Sequence, residues 1–209
     1  MVDASADVRV SDHAFGLLDG GEIPIETADY SNGLVVLMSA GALLYTGIDT
    51  GVVHVGLTLA SQPPDNLVPD AGTDDNLGAS WQDIVEASVH APRGQLRLDS
   101  LDTGPVSDVP LLSPHGPGWY RLRAFVRGRD THFDAVADAA VEEYHLQLWP
   151  APPAPAVLIR TTDQCGAGLR SASAPASHPA EPPPRQQAEQ QTRNRLDQAI
   201  RKATGRPPA

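Results

Sequence analysis

Several features are scarce or missing in this sequence, and each absence excludes something. Cys165 is the only cysteine, so an intrachain disulfide cannot form. No run approaches the roughly 18 apolar residues of a membrane-spanning helix. The start of the chain also lacks the basic segment and apolar run of a secretory signal peptide. These absences predict a soluble cytoplasmic protein without a membrane partner.

Basic residues are few: 15 lysines and arginines stand against 26 aspartates and glutamates, for a formal net charge of −11. Residues 1–163 hold 23 acids and 8 bases, a balance of −15, and residues 164–209 hold 3 acids and 7 bases, a balance of +4. Lys202 is the only lysine, and the heavy use of Arg, Ala and Pro is typical of a bacterial source. An acidic body repels phosphates, which argues against a nucleic-acid partner. It suits a basic protein partner or, more simply, solubility.

Motifs for catalysis and for cofactor or metal binding are missing as well. The seven histidines form no H-E-x-x-H motif, and no C-x-x-C, G-x-G-x-x-G or G-x-S-x-G occurs. We therefore predict no enzyme, no cofactor and no metal. The sequence leaves open whether His13, His115 and His132, which lie near predicted strand ends, converge in space. A pocket lined by His115, His132 and Asp130 would be the minimal signature of an active site.

What the sequence does contain is a series of short alternating segments. Residues 51–60, GVVHVGLTLA, alternate apolar and polar side chains as a half-buried strand does, and residues 95–101 do the same after a turn at 92–94. About eight such segments, separated by turns rich in Gly and Pro, favour an all-β fold, an antiparallel β-sandwich. We assign residues 1–163 to this domain.

The C-terminal part differs in composition. Residues 164–184 are rich in Ala, Ser and Pro and bury too little apolar surface to offset the entropy of ordering, which predicts a disordered linker. Residues 185–205 are built of helix formers with a narrow apolar stripe, which predicts a short amphipathic helix. Leu196 and Ile200 would anchor this helix on a partner. A passive extension is the alternative.

The most informative stretch is GPGWYRLRAFVRGRD, residues 116–130, in which arginines occupy alternate positions. Successive side chains of a strand point to opposite faces, so Tyr120, Leu122, Ala124 and Val126 form a core face. The other face, together with the outward side of a strand at 142–149, is predicted to be exposed to solvent. We call it the arginine face; its members are Trp119, Arg121, Arg123, Phe125, Arg127, Arg129, Glu143, His145 and Trp149.

The arginine face has more than one interpretation. In the first, it carries cross-strand ion pairs on a solvated surface, with Glu143 and Glu86 as acidic partners, each pair worth about 0–1 kcal/mol. In the second, it is a binding surface, because Arg and Trp are enriched at interface hot spots and arginine recognises carboxylates well. In the third, it is an anion-binding catalytic site. Trp119, Phe125 and Trp149 would also suit a stacking platform for a small molecule or carbohydrate.

The arginine strand and the following EEYHLQLWPAPPAP resemble a strand pair found in uncharacterised actinobacterial proteins. The arrangement is similar to the competence protein J family, small β-sandwich proteins that include a nuclease inhibitor. The specific part covers Gly116 to Pro155. The resemblance implies a sandwich fold and an inhibitor-like role, and it brings no catalytic residues. We expect a non-enzymatic protein-binding module, an inhibitor or immunity protein for a basic partner; the alternative is a β-sandwich that binds a small molecule or carbohydrate.

Overall fold

The structure is a computed structural model and describes residues 1–64 and 81–173. In chain order the strands of this part are β1 (Val2–Val10), β2 (Ala14–Asp19), β3 (Val35–Leu37), β4 (Ala42–Tyr45), β5 (Thr50–Leu59), β6 (Asp83–Ala91), β7 (Leu96–Ser100), β8 (Gly104–Pro105), β9 (Gly118–Arg127), β10 (Val136–Ala137), β11 (Glu143–Pro150) and β12 (Val157–Thr161). A 3₁₀ turn spans Ile25–Thr27, and helix α1 spans Gln164–Ser173.

The strands form two sheets, so the predicted all-β class is confirmed. The first sheet has the order β1-β5-β11-β9-β6-β12, with β10 also paired to β5, and the second has the order β3-β4-β2-β7-β8. The prediction of purely antiparallel strands is wrong for β5, which runs parallel to β10 and β11. Parallel neighbours need a long connection, and β5 and β11 lie far apart in the chain. The sandwich arrangement stays a prediction.

Both sheets contribute to one cluster of buried apolar side chains. Leu17 and Leu98 belong to the second sheet, and Val55, Leu122 and Leu146 belong to the first. The alternation that the sequence shows in β5 and β9 therefore orients these strands as predicted, with one face toward the core. Each fully buried side chain of this size stabilises the fold by about 1.5–3 kcal/mol, so the shared cluster is the main source of stability.

Helix α1 stands where the sequence predicts the first ten residues of a disordered linker. Two carboxylates hold its first turn: Asp163 Oδ1 accepts a hydrogen bond from the Gly166 backbone N–H (2.8 Å), and Asp130 Oδ2 accepts one from the Gln164 N–H (2.9 Å). These carboxylates satisfy backbone donors that a helix start leaves unpaired. Composition could not reveal the helix, because Asp130 reaches it from the end of β9.

The remainder of the predicted linker and the predicted helix at 185–205, with its anchors Leu196 and Ile200, lie outside the described residues. Within the described part, no helix combines the length and the apolar character needed to cross a membrane. The domain boundaries and the cytoplasmic location stay predictions.

Gly47 lies where the connection between β4 and β5 passes the backbone of Arg129. A Cβ added at Gly47 would overlap the Arg129 carbonyl group, with the carbonyl carbon 2.6 Å away. Because backbone atoms cannot yield as a side chain does, we expect Gly47→Ala to lower the free energy of unfolding by about 1–3 kcal/mol. Urea unfolding monitored by tryptophan fluorescence measures this change.

The matched control is Gly168→Ala in helix α1. A Cβ at Gly168 meets no atom within 4 Å. Alanine favours the helix over glycine, so this variant should be unchanged or more stable by about 0.5–1 kcal/mol. Equal unfolding midpoints for the two variants would show that the close approach at Gly47 is wrong.

Candidate functional site

The arginine face carries the cross-strand ion pairs that the sequence predicts. Strand β9 lies between β11 and β6, and its register sets Arg127 opposite Glu143 and Arg123 opposite Glu86. Arg127 Nε donates to Glu143 Oε2 (2.8 Å), while Glu86 accepts from Arg121 Nε (2.8 Å) and Arg123 Nε (3.0 Å). Burial by itself would raise the pKa of Glu86, but the hydrogen bonds from the two arginines hold it below its usual value.

The prediction that this face lies in solvent is wrong for most of its members. Arg127, Glu143 and His145 are half-buried, and Trp119 is 39% exposed. The remaining members are buried: Arg121, Arg123, Phe125, Arg129 and Trp149. The predicted stacking platform is therefore absent, because two of its three rings are covered. A binding role for the face stays a prediction.

Two segments outside the strands cover the arginine face. The proline-rich segment after β11 crosses over β9 to β6, and its carbonyl groups at Ala154 and Pro155 each accept a hydrogen bond from Arg121 (both 2.8 Å). On another part of the face, the Trp81 ring packs against Phe125, with 5.7 Å between ring centroids, and the Arg127 guanidinium lies 5.2 Å from its centroid. Strand alternation predicts which side chains share a face, but it cannot predict what covers that face.

Arg129 departs furthest from its predicted exposed position, because its side chain is fully buried. Its guanidinium forms a two-point contact with Asp163, Nε to Oδ2 at 2.7 Å and Nη2 to Oδ1 at 2.9 Å, and Nη2 also donates to Asp83 (3.3 Å). Nη1 donates to the carbonyl groups of Gly33 (3.0 Å) and Tyr45 (3.2 Å). All five N–H groups of the guanidinium thus have acceptors, as a buried arginine requires.

Asp83 joins this cluster to the start of helix α1. Its Oδ1 accepts from the backbone N–H groups of Thr162 (2.6 Å) and Asp163 (3.0 Å), and its Oδ2 accepts from Arg129 and from Arg170 Nη1 (3.1 Å). Two arginines face two carboxylates, so the cluster is neutral when all four are ionised. We call Asp83, Arg129, Asp163 and Arg170 the buried ion cluster.

Another buried carboxyl group, that of Glu142, holds the connection between β4 and β5. Glu142 accepts hydrogen bonds from the backbone N–H groups of Gly47 (3.2 Å) and Ile48 (2.6 Å) and from the Tyr144 hydroxyl (2.6 Å). Burial raises the pKa of Glu142 and raises that of Tyr144 well above its ordinary value. The connection is therefore held by Glu142, which lies just before β11 and is itself bonded to Tyr144 of that strand.

A pocket of about 480 Å³ lies between helix α1 and the neighbouring loops. Its lining is mainly apolar and comprises Tyr45, Asp130, Phe133, Gln164, Cys165, Gly168, Leu169 and Ala172. Burial raises the pKa of the Cys165 thiol to about 11, so the thiol stays protonated at neutral pH and is a poor nucleophile. No sequence pattern indicates this pocket, because its walls come from separate segments that show no shared motif.

Next to the pocket, the β1–β2, β4–β5 and β9–β10 loops and the residue that follows β10 bring several aspartates to one end of the first sheet. We call this surface the acidic end; its members are Asp12, Asp49, Asp130, Asp134 and Asp138. Backbone hydrogen bonds join the loops: His13 N–H to Asp49 O (3.0 Å), Asp134 N–H to Gly47 O (2.8 Å) and Asp49 N–H to Ala135 O (3.0 Å). The arrangement of charge at this end is therefore fixed by the backbone.

His13 lies within the acidic end. Its Nε2 is 3.3 Å from Asp134 Oδ1 and 3.6 Å from Asp49 Oδ1. Its ring stacks on Tyr45, 5.4 Å between centroids, and is tilted against Phe133 at 6.2 Å. Both rings also line the pocket, so the histidine and the pocket are neighbours.

The other two histidines considered from the sequence lie elsewhere. The His115 backbone N–H donates to the Tyr120 hydroxyl (3.2 Å) near the start of β9, whereas His13 lies among the loops beyond the end of that strand. His132 is exposed. Asp130, the third member of the hypothetical active site, accepts from the first N–H groups of α1. His13 thus groups with two aspartates, a combination that sequence spacing could not indicate.

Comparisons with known proteins give little. No family model and no curated protein matches the sequence. Among solved structures, crocagin biosynthetic gene J is similar at 16% identity and a TM-score of 0.40, over 72% of this chain and 99% of that one. ComJ, inhibitor of the DNA degrading activity of NucA, from Bacillus subtilis, is similar at 12% identity and a TM-score of 0.42, over 71% and 96%. Both scores and both identities are low, so no argument about function rests on them.

The buried ion cluster predicts a large effect of a conservative change. Arg129→Lys keeps the charge but replaces five N–H donors in a planar fork by three on a shorter reach. At least two of the five hydrogen bonds to Asp163, Asp83 and the carbonyl groups of Gly33 and Tyr45 are then lost. We expect the free energy of unfolding to fall by about 3–5 kcal/mol, measured by urea unfolding.

The control for this change is Arg97→Lys, at an exposed position of β7. Surface substitutions of this kind usually change stability by no more than about 0.5 kcal/mol. If Arg129→Lys were as stable as Arg97→Lys, the free energy of unfolding would not depend on the five-donor geometry of the Arg129 guanidinium.

Proposed function

We propose that this protein is a non-enzymatic binding module that engages a basic protein partner through its acidic end. An inhibitor or immunity role is the form that the sequence resemblance implies. The observation that carries the proposal is the distribution of charge. The arginines of β9 are covered and paired with acids, so they offset little of the negative charge on the exposed surface.

The exposed charges of the described residues are predominantly acidic. Eleven carboxylates are exposed: Asp3, Asp7, Asp12, Glu22, Glu26, Asp29, Asp102, Asp108, Asp130, Asp134 and Asp138. Four arginines are exposed: Arg9, Arg93, Arg97 and Arg160. Two of these four already contact carboxylates, Arg9 with Asp102 and Arg93 with Glu22. A field of one sign over a surface accelerates encounter with an oppositely charged partner and disfavours wrong partners.

Within this surface, the acidic end is the best candidate contact region. The aspartates there lie on loops whose backbones are hydrogen-bonded to one another, so little entropy is lost when a partner binds. Asp12 and Asp134 have φ of 51° and 57°, in the left-handed region, which fixes the direction in which their side chains leave the loops. The arginine face then serves to hold the proline-rich segment and Trp81, and contributes no contact surface for the partner.

The proposal predicts that removing charge from the acidic end abolishes partner binding. The variant combines Asp12→Asn, Asp134→Asn and Asp138→Asn; asparagine tolerates the left-handed region as well as aspartate does. In pull-downs from native lysate at about 50 mM salt, we expect the wild type to retain a basic protein and the variant to lose it at least about tenfold. Raising the salt to about 300 mM should release it from the wild type.

The control removes three charges from other exposed positions, by Glu26→Gln, Asp102→Asn and Asp108→Asn. This variant has the same net charge as the first, so it separates a local contact from a general electrostatic effect. It should keep the partner. Equal loss in both variants would show a general effect of net charge and would overturn the assignment of the contact to the acidic end. The absence of any salt-sensitive basic partner would refute the proposal.

The pocket beside helix α1 favours a second candidate function, the binding of a small apolar or aromatic molecule. Its volume of about 480 Å³ is in the range of ligand sites, and the rings of Tyr45 and Phe133 would stack on a planar group. This site replaces the predicted platform of Trp119, Phe125 and Trp149, in which Phe125 and Trp149 are buried.

A matched pair of helix variants tests the second candidate. Ala172 lines the pocket and Ala167 does not, although both are exposed on α1. In a thermal-shift screen of small aromatic compounds, a true ligand should raise the melting temperature of the wild type and of Ala167→Trp, but not of Ala172→Trp. A screen with no shift, or with equal shifts in both variants, would count against this function.

A further inference from the structure

The group formed by His13, Asp49 and Asp134 has the composition of a metal site. One ring nitrogen and two carboxylate oxygens lie within 4.8 Å of one another. We propose that these three side chains bind a divalent transition-metal cation, with Zn²⁺ as the representative ion. The site shares Asp49 and Asp134 with the acidic end, but it does not rest on the proposed protein partner, because metal binding is measured on this chain alone.

The distances fit coordination better than hydrogen bonding. The gaps from His13 Nε2 to Asp134 Oδ1 and Asp49 Oδ1, 3.3 and 3.6 Å, exceed the usual length of an N–H···O hydrogen bond, about 2.7–3.2 Å. Zinc binds histidine nitrogen at about 2.0–2.1 Å and carboxylate oxygen at about 2.0–2.2 Å, and tetrahedral angles then separate the two ligand atoms by about 3.4 Å. The two gaps lie on either side of that separation, so an ion fits between these atoms with small side-chain shifts.

The ligand set also selects the kind of ion. Calcium and magnesium prefer all-oxygen surroundings, whereas a neutral imidazole with carboxylates suits zinc and its neighbours among the first-row transition metals. Three protein ligands leave a fourth tetrahedral position for water or for an outside ligand. The two negative charges of the carboxylates equal the +2 charge of the bound ion, so the liganded group is neutral.

The three ligands are held in place before any ion arrives. His13 and Asp49 are joined by a backbone hydrogen bond of 3.0 Å, and the Asp134 N–H donates to the carbonyl of Gly47 (2.8 Å). The His13 ring contacts Tyr45 and Phe133, which limit its rotation. Its Nδ1 is buried without a hydrogen-bond partner in the described part of the chain, and Nε2 is the ring nitrogen that lies near the two carboxylates.

The test uses the full chain and the metal alone. Protein stripped with a chelator is titrated with Zn²⁺ by calorimetry, and binding of Co²⁺ is followed by its visible absorption. We expect one ion per chain with affinity lost by at least about tenfold in His13→Gln and in Asp134→Asn, as expected when a ligand is removed. Asp134 is exposed, and asparagine is suited to its left-handed backbone, so this variant should fold even if the histidine variant does not.

His54→Gln is the matched control. His54 Nδ1 lies 2.9 Å from Asp7 Oδ1, a pair of hydrogen-bond length, and it belongs to no three-residue group of metal-ligating side chains in the described residues. Its loss should leave the Zn²⁺ affinity unchanged. The proposal is overturned if the wild type binds no stoichiometric Zn²⁺, or if folded Asp134→Asn binds as tightly as the wild type. It is equally overturned if His54→Gln weakens binding as much as the other variants.

Discussion

The buried guanidinium of Arg129 is the constraint on which the described structure depends. Moving a charge out of water costs several kcal/mol, and the contacts offset this cost only when every N–H finds an acceptor. The acceptors come from Asp83 on β6, from Asp163 before helix α1, and from backbone carbonyls at Gly33 and Tyr45. One side chain therefore joins both sheets and the helix, and loss of any acceptor leaves a buried donor unpaired.

The same principle governs the other arginines of β9 and sets the character of the surface. Arg121 donates hydrogen bonds to Glu86, to Ser88 and to carbonyl groups of the proline-rich segment. Because proline has no backbone N–H, this segment lacks most of the donors that a paired strand needs. The positive charge of this side chain therefore lies in an internal ion pair, and its remaining donors hold the proline-rich segment. The exposed acids give the surface of the described residues the predominantly negative charge on which the proposed recognition of a basic partner rests.

The acidic end, the pocket and the group of His13, Asp49 and Asp134 depend on the same framework. All three lie where loops meet helix α1, and the hydrogen bonds of Glu142 and the buried ion cluster fix the segments that support them. Loops carry function when a rigid framework positions them, and here buried charged groups supply that framework. The buried ion cluster and the surface are directly linked at Tyr45. The Arg129 guanidinium donates to the carbonyl group of this residue, and the ring of the same residue lines the pocket.

The sequence by itself determined the all-β class, the core faces of β5 and β9, and an ion pair between Glu143 and an arginine of the neighbouring strand, because alternation with a period of two is a local property of a strand. That Arg127 is this arginine follows from the register of the folded sheet. Tertiary structure alone decided that the arginine face is covered, that α1 is a helix, and that His13 lies beside two aspartates. These features join residues far apart in the chain: Asp130 is 34 positions from the helix start it caps, and Asp83 is 46 from Arg129. A pattern in neighbouring residues shows which side a residue faces, and only the folded chain shows what lies on that side.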